Sequence, residues 1–208
     1  ILEKQEWDMP QNKRKIHLAC GANLLPGWEN YDLRPRSSDV GFINLLHTFP
    51  FDNNSVDFIF FEHAVEHFDE VDGYKIMQEI HRVLKPGGIF RCSTPSLDTY
   101  IRRYIDWDSD FNKRHKSLFG TRTRFLNFAF MAEAMSGLKY MDGKFATNDG
   151  HKYIYSVEDL HEKLTNIGFT KVIDAPLSES EFEELTNIDY RGRHGYPDNL
   201  DIILEATK

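Results

Sequence analysis

The sequence predicts a doubly wound α/β fold on a mostly parallel sheet of seven strands, and three observations carry that expectation. Short apolar runs alternate with stretches of helical periodicity. Glycine-containing turns punctuate them. The strongest run, Val56 to Phe61, reads Val-Asp-Phe-Ile-Phe-Phe. It is too uniformly apolar for a sheet with one wet face, so it belongs in the middle of a parallel one.

The elements follow in order. Ile16 to Cys20 is a short strand ending at Gly21, and Trp28 to Leu33 is a second, stopped by Pro35. Gly41 to Leu46 is a third, and Val56 to Phe61 the fourth. A helix is expected from about Val71 to Leu84, because Ile76, Ile80, Val83 and Leu84 recur on one face. Lys85-Pro86-Gly87-Gly88 ends it, and Gly88 to Ser93 is the next buried strand. Residues 97–150 change character: they are rich in aromatics and basic residues, with helical periodicity around Phe125 to Met135. They read as a helical cap, at about 98–150, inserted into a single domain spanning 1–208. Ser156-Val157-Glu158-Asp159 starts another helix by capping, Leu160, Leu164 and Ile167 form its stripe, and Gly168 ends it. Lys171 to Ala175 and Asn199 to Ala206 are the last strands, joined by an acidic connection from Ser178 to Pro197.

Composition narrows the class. With 208 residues, 40% apolar and 28% charged, the chain is neither disordered nor a membrane protein. It has no apolar run of the roughly 18 residues needed to span a bilayer. The start is charged, with no signal-peptide core and no initiator Met, so a trimmed chain or a start inside a longer protein is expected. Cys20 and Cys92 lie in strand-like runs and read as core residues. Together these features predict a cytoplasmic protein. A net charge of −8 argues against general nucleic-acid binding. The charge is uneven, however: Arg102 to Arg124 holds seven Lys/Arg against three Asp.

Doubly wound sheets bind ligands at the carboxyl ends of their strands, where the winding reverses. Ala19-Cys20-Gly21-Ala22 sits at such an end, and small residues there let backbone approach a ligand. Asp32 ends the next strand, where a carboxylate accepts hydrogen bonds from ribose hydroxyls or caps a turn. Asn44 meets an adenine edge or is an ordinary loop residue. Glu62-His63-Ala64-Val65-Glu66-His67 follows the strongest strand. Its two His and two Glu raise the question of a metal, but no third ligand is evident and a second Glu-x-x-His copy is absent. No metal is therefore expected, and a wall-of-pocket role or a helix start accounts for the segment.

Read together, Pro26-Gly27-Trp28-Glu29-Asn30-Tyr31-Asp32, Pro50-Phe51 through Ser55-Val56-Asp57-Phe58-Ile59, His63-Ala64-Val65-Glu66-His67 and Arg82-Val83-Leu84-Lys85-Pro86-Gly87-Gly88 resemble the small class I S-adenosylmethionine-dependent methyltransferases of the type 11 group. Leu164 to Phe169 is similar to that family's last helix-to-strand turn. The resemblance covers about residues 14–98 and 151–206 and implies a Rossmann-like sheet. It also implies S-adenosyl-L-methionine as cofactor, with S-adenosyl-L-homocysteine as product. Ala19, Cys20 and Gly21 would line the methionine part, Asp32 and Leu33 the ribose side, Asn44 and Leu45 the adenine, and Glu62 and His63 the floor beneath the sulfonium. The sequence departs from the family at Ala19, where Gly is usual, at His17, where an acid or Asn is usual, and at Asn44, where Asp is usual. Only about ten residues separate Gly21 from Asp32, too few for a full crossover helix.

The implied reaction is methyl transfer to a small-molecule acceptor. A hydroxyl acceptor calls for a base, and His151 and His63 are the candidates. Tyr153 lies near His151. Arg102, Arg103, Arg122 and Arg124 could clamp a phosphate or carboxylate, which suggests an anionic sugar or nucleotide-sugar hydroxyl. Tyr100, Tyr104, Trp107 and Phe111 either shape an acceptor pocket or pack the cap. A nicotinamide dehydrogenase would need Gly-x-Gly-x-x-Gly, and residues 19–24 read Ala-Cys-Gly-Ala-Asn-Leu. A non-catalytic binding or partner protein on the same fold is the remaining alternative.

Overall fold

The computed structural model describes residues 13–108, 112–113, 116–117, 120–130, 150–195 and 200–208, the side chains of 127–130 aside. Its sheet has seven strands: β1 (Lys15–Leu18), β2 (Glu29–Asp32), β3 (Val40–Phe42), β4 (Val56–Glu62), β5 (Leu84–Pro95), β6 (Lys171–Asp174) and β7 (Asp201–Thr207). The spatial order is β3-β2-β1-β4-β5-β7-β6. All neighbours are parallel except β7, which runs antiparallel to both β5 and β6. The winding reverses between β1 and β4, so the ligand crevice of such a sheet lies at their carboxyl ends.

The apolar pattern explains the layers. Ile16, Leu18, Ile59, Phe61, Phe90 and Leu204 face α1 (Glu70–Val83) and α4 (Val157–Ile167), whose Ile76, Met77, Ile80, Leu160 and Leu164 complete the main core. The opposite face buries Phe58, Phe60 and Ile89 beneath Leu25, Leu185 and Ile188, which come from connecting segments. α1 starts one residue before the expected Val71, because Asp69 accepts from the Asp72 N–H and caps it. The Ser156 cap and the left-handed Gly168 stop at φ 117° fall where the sequence put them.

One expectation needs correction. The expected turn at Lys85 to Gly88 is part of β5, which begins at Leu84 and slips register against β4 between Val56 and Phe58. A Cβ on Gly88 would sit 2.9 Å from the Lys85 carbonyl, so this bulge admits only glycine. Ala19, where the sequence departs from the family's usual glycine, carries a φ of 52°, a left-handed conformation that strains an alanine.

The short link between parallel β1 and β2 contains no helix. A side chain holds it instead. Asn30 accepts from the Leu25 N–H at 3.0 Å and donates to the Leu25 and Trp28 carbonyls at 3.1 and 3.0 Å. His17, on β1 beneath it, donates from Nδ1 to the same Asn30 oxygen at 3.2 Å.

The stretch 97–150 is described only in part and includes α2 (Leu97–Ile105) and α3 (Arg122–Phe130). Tyr100, Trp107, Phe125 and Leu200 form a small buried cluster, so Tyr100 and Trp107 pack this stretch against the residue that leads into β7. Phe111 and the helical periodicity beyond residue 130 lie outside the described residues. No helix among the described residues is long and apolar enough to cross a membrane.

Candidate active site

The crevice at the carboxyl ends of β1 and β4 is built from short segments. β1 delivers the turn Ala19-Cys20-Gly21, in which Ala19 and Gly21 both have left-handed backbone, φ 52° and 54°. The Cys20 N–H bonds the Tyr31 carbonyl at 3.1 Å and the Gly21 N–H bonds the Asp32 carboxylate at 2.9 Å, so the turn is tied to the end of β2. A Cβ added at Gly21 would meet nothing within 4 Å, so open space stands in front of this turn. Asp32 also accepts from the Arg34 N–H at 2.8 Å. Each oxygen is thereby oriented and keeps lone-pair capacity for a ligand hydroxyl. Leu33, beside it, is 53% exposed and offers an apolar surface. Asn44 folds back onto its own loop, accepting from the Leu46 N–H at 3.1 Å, while Leu45 is buried in the core.

β4 delivers the charged half. Glu62 is buried, accepts from the Tyr190 N–H at 2.8 Å and receives the Asn23 amide at 3.3 Å. Burial pushes its carboxyl up to about 7, with the Tyr190 N–H working in the opposite direction. His63 has a φ of 47° and turns its ring between two carboxylates, Nδ1 3.4 Å from Glu66 and Nε2 3.2 Å from Asp201. Burial opposes its charge, but Asp201 and Glu66 outweigh burial and raise its pKa to about 10. Asp201 is buried and also receives Arg191 Nε at 2.6 Å. Burial disfavours its ionised form too, yet His63 and Arg191 hold it below the usual carboxylate range.

His151 arrives on the segment that leaves the cap. The Lys152 and Tyr153 N–H groups both donate to the Glu66 carbonyl, at 2.7 and 3.3 Å. This brings His151 Nε2 to 4.0 Å from the Glu66 carboxylate. The two histidines proposed from sequence as bases thus face one buried carboxylate. The structure also supplies what the sequence lacked for a metal: Glu66, His67 and His151 place one donor atom each within 4.8 Å of one another. The absence of a third ligand therefore no longer excludes an ion.

The basic residues of the cap are divided. Arg102 is exposed, whereas the next residue, Arg103, is buried at 3% exposure, so the two do not share a face. Tyr104 lies under the Arg122 guanidinium, 5.6 Å from the ring centre. Tyr153 turns away to Glu70 and Lys163, its hydroxyl 3.4 Å from the Glu70 carboxylate. Asp201, Asn23 and Tyr190 were missed from sequence. Asp201 had a local signal, a charge opening an otherwise apolar strand; the other two had none.

The methyltransferase domain family matches residues 33–92, the stretch from the end of β2 into β5. Among solved structures, an S-adenosylmethionine-dependent methyltransferase from Mesorhizobium loti superposes over 96% of this chain and 94% of its own, with TM-score 0.52 and 14% identity. A SAM-dependent methyltransferase from Archaeoglobus fulgidus covers 94% of this chain and 86% of its own, with TM-score 0.50 and 14% identity. An O-methyltransferase family protein from Burkholderia thailandensis covers 94% of this chain and 51% of its own, with TM-score 0.53 and 16% identity. No curated protein matches the sequence. The family match covers 33–92 only, and the superpositions, at 14–16% identity, show that the chain shares the fold of S-adenosylmethionine-dependent methyltransferases. The open left-handed turn has room for the close approach of a ligand's amino-acid part, and the oriented Asp32 carboxylate keeps acceptor capacity for ribose hydroxyls.

Proposed function

We propose that this chain is an S-adenosylmethionine-dependent methyltransferase that acts on a hydroxyl of a small anionic acceptor, of the sugar or nucleotide-sugar kind. Ala19, Cys20, Gly21, Asp32, Leu33, Asn44, Leu45, Glu62 and His63 would form its cofactor site. When bound, S-adenosylmethionine supplies an electrophilic methyl on a sulfonium. The chain's own residues then have three tasks. Asp32 accepts from the ribose hydroxyls, and the Ala19–Gly21 turn lets backbone approach the methionine moiety. Glu62 and His63 wall the crevice and exclude water. His151, set against Glu66, contacts the acceptor hydroxyl, and the cap orients the acceptor for in-line attack. His63 is the weaker candidate for that contact, because two carboxylates retain its proton. The observation that carries the reading is the empty space before Gly21, next to an Asp32 carboxylate that two N–H groups have already oriented.

The anionic acceptor rests on the exposed Arg102, Arg122 and Arg124 of the cap. Tyr104 and Tyr153 are assigned as acceptor contacts. Arg103, being buried, is assigned a packing role, and Tyr153 reaches the acceptor only by leaving Glu70.

Calorimetric titration with S-adenosylmethionine and S-adenosylhomocysteine tests the cofactor site. Wild type should bind both, and Asp32→Ala should bind at least about tenfold more weakly, the loss of roughly 1.4 kcal/mol or more of charge-assisted hydrogen bonding. No binding of either compound at millimolar concentration would instead support a non-catalytic partner protein. For the acceptor, an Arg102→Ala/Arg124→Ala chain with unchanged acceptor KM would remove the anionic assignment.

A further inference from the structure

We propose that Glu66, His67 and His151 hold one divalent transition-metal ion beside the cofactor crevice. The three donor atoms lie within 4.8 Å of one another. The rings of His67 and His151 meet edge to face, 5.1 Å between centres, and His151 Nε2 is 4.0 Å from Glu66 Oε1. Around a zinc-sized ion with bonds of about 2.0–2.2 Å, neighbouring donors stand on the order of 3–4 Å apart. Small side-chain rotations close that difference.

One buried atom points to a missing ligand independently of the spacing. His67 Nδ1 is buried and has no hydrogen-bond partner among the described residues. An orphaned polar atom costs about 1–3 kcal/mol, so it calls for a partner. Glu66 is fully buried, and its Oε1 faces His63 Nδ1 at 3.4 Å and His151 Nε2 at 4.0 Å. The remaining supports are in place. Thr94 donates to the other Glu66 oxygen at 3.0 Å and orients the carboxylate. The Lys152 and Tyr153 N–H groups fix the His151 segment to the Glu66 backbone.

Two imidazoles and one carboxylate favour zinc, iron(II), cobalt or nickel over magnesium or calcium, which take oxygen ligands. Three protein ligands leave positions open. In metal-loaded protein the acceptor oxygen would take one of them, with His151 holding the ion rather than the hydroxyl. That step rests on the methyl-transfer reading; the binding of the ion does not.

The test uses the full chain freed of metal with a chelator and titrated without cofactor. Calorimetry with Zn²⁺ should show one equivalent bound in the micromolar range or tighter. Co²⁺ should give visible d–d bands that Zn²⁺ displaces. His67→Ala and His151→Ala should each weaken Zn²⁺ binding at least about tenfold. His161→Ala, on the exposed face of α4, should leave it unchanged, with folding checked by circular dichroism. Absence of saturable binding, or binding indifferent to both His67→Ala and His151→Ala, overturns the proposal. Because no methyl donor is present, failure here leaves the cofactor titration standing, and failure there leaves this result standing.

Discussion

At the scale of single residues, the Ala19–Gly21 turn stores strain. Ala19 holds φ 52°, a region that costs a non-glycine residue on the order of 1–2 kcal/mol. Glycine removes that cost but gives back roughly 0.5–1 kcal/mol through its freer unfolded chain. Ala19→Gly should therefore stabilise the protein by up to about 1.5 kcal/mol in urea unfolding, the net of those two terms. A variant less stable than wild type would show that the turn is not strained. His17 makes a second prediction. Burial lowers its pKa to about 4, with the Asn30 contact working in the opposite direction. The unfolded chain keeps the ordinary value near 6.5, so between pH 6.5 and 4 it binds more protons than the native state. Stability must then fall as pH drops through that window, by roughly 3 kcal/mol for this residue. His17→Gln, which cannot titrate, should lose less stability than wild type between pH 7 and pH 4; parallel slopes in denaturant midpoints would remove His17 from the acid response.

At the scale of elements, α1 packs against the segment leading into α4 through one close approach. Gly73 lies in α1, and a Cβ there would meet the Tyr155 hydroxyl at 2.5 Å. Helix propensity alone favours Gly73→Ala by about 1 kcal/mol. The contact is with a fully buried ring, so overpacking at about 1–3 kcal/mol wins and the substitution should destabilise. The Tyr155 hydroxyl is buried with no hydrogen-bond partner among the described residues. Tyr155→Phe should then be neutral or stabilising, since it removes an unsatisfied group. In the double variant the alanine should recover its helix advantage. Thermal melts of the four chains measure that coupling, and additive effects would show that the two residues do not touch. These elements also show what was legible beforehand. α1 and α4 were readable because caps and apolar periodicity are local: Asp69, Ser156 and Gly168 act within one turn of their own helix. β5 was misjudged at its start because Lys85 to Gly88 looks like a stop in sequence. Only pairing with β4 reveals a bulge.

At the scale of the whole molecule, the same division holds for the site. Gly21, Asp32 and Glu62 could be located in sequence because Asp32 and Glu62 each end a strand and Gly21 lies in the turn just after one. His151 and Asp201 could not be joined to Glu66 and His63, since chain closure over long separations leaves no local trace. Arg91 is the clearest case. A charge inside Ile89-Phe90-Arg91-Cys92 announces a buried pair, but its partners Asp189 and Glu205 lie 98 and 114 residues away. Arg91 is fully buried, with bonds to Asp189 at 3.0 and 2.6 Å and to Glu205 at 2.5 Å. It also donates to the Glu179 and Pro176 carbonyls, so one side chain on β5 gathers the whole 176–189 connection. Tyr190 follows directly, and its N–H donates to Glu62 in the crevice. Arg91→Met would leave two carboxylates buried without their cation, a loss of about 3–5 kcal/mol. It should also loosen Tyr190, free the Glu62 carboxylate from that bond and weaken S-adenosylmethionine binding several-fold, although Arg91 is walled off from the crevice. Calorimetry on the fraction that remains folded separates the two effects. Lower stability with unchanged cofactor affinity would mean that the 176–189 connection supports the sheet alone, and that the geometry of Glu62 is set within β4 itself.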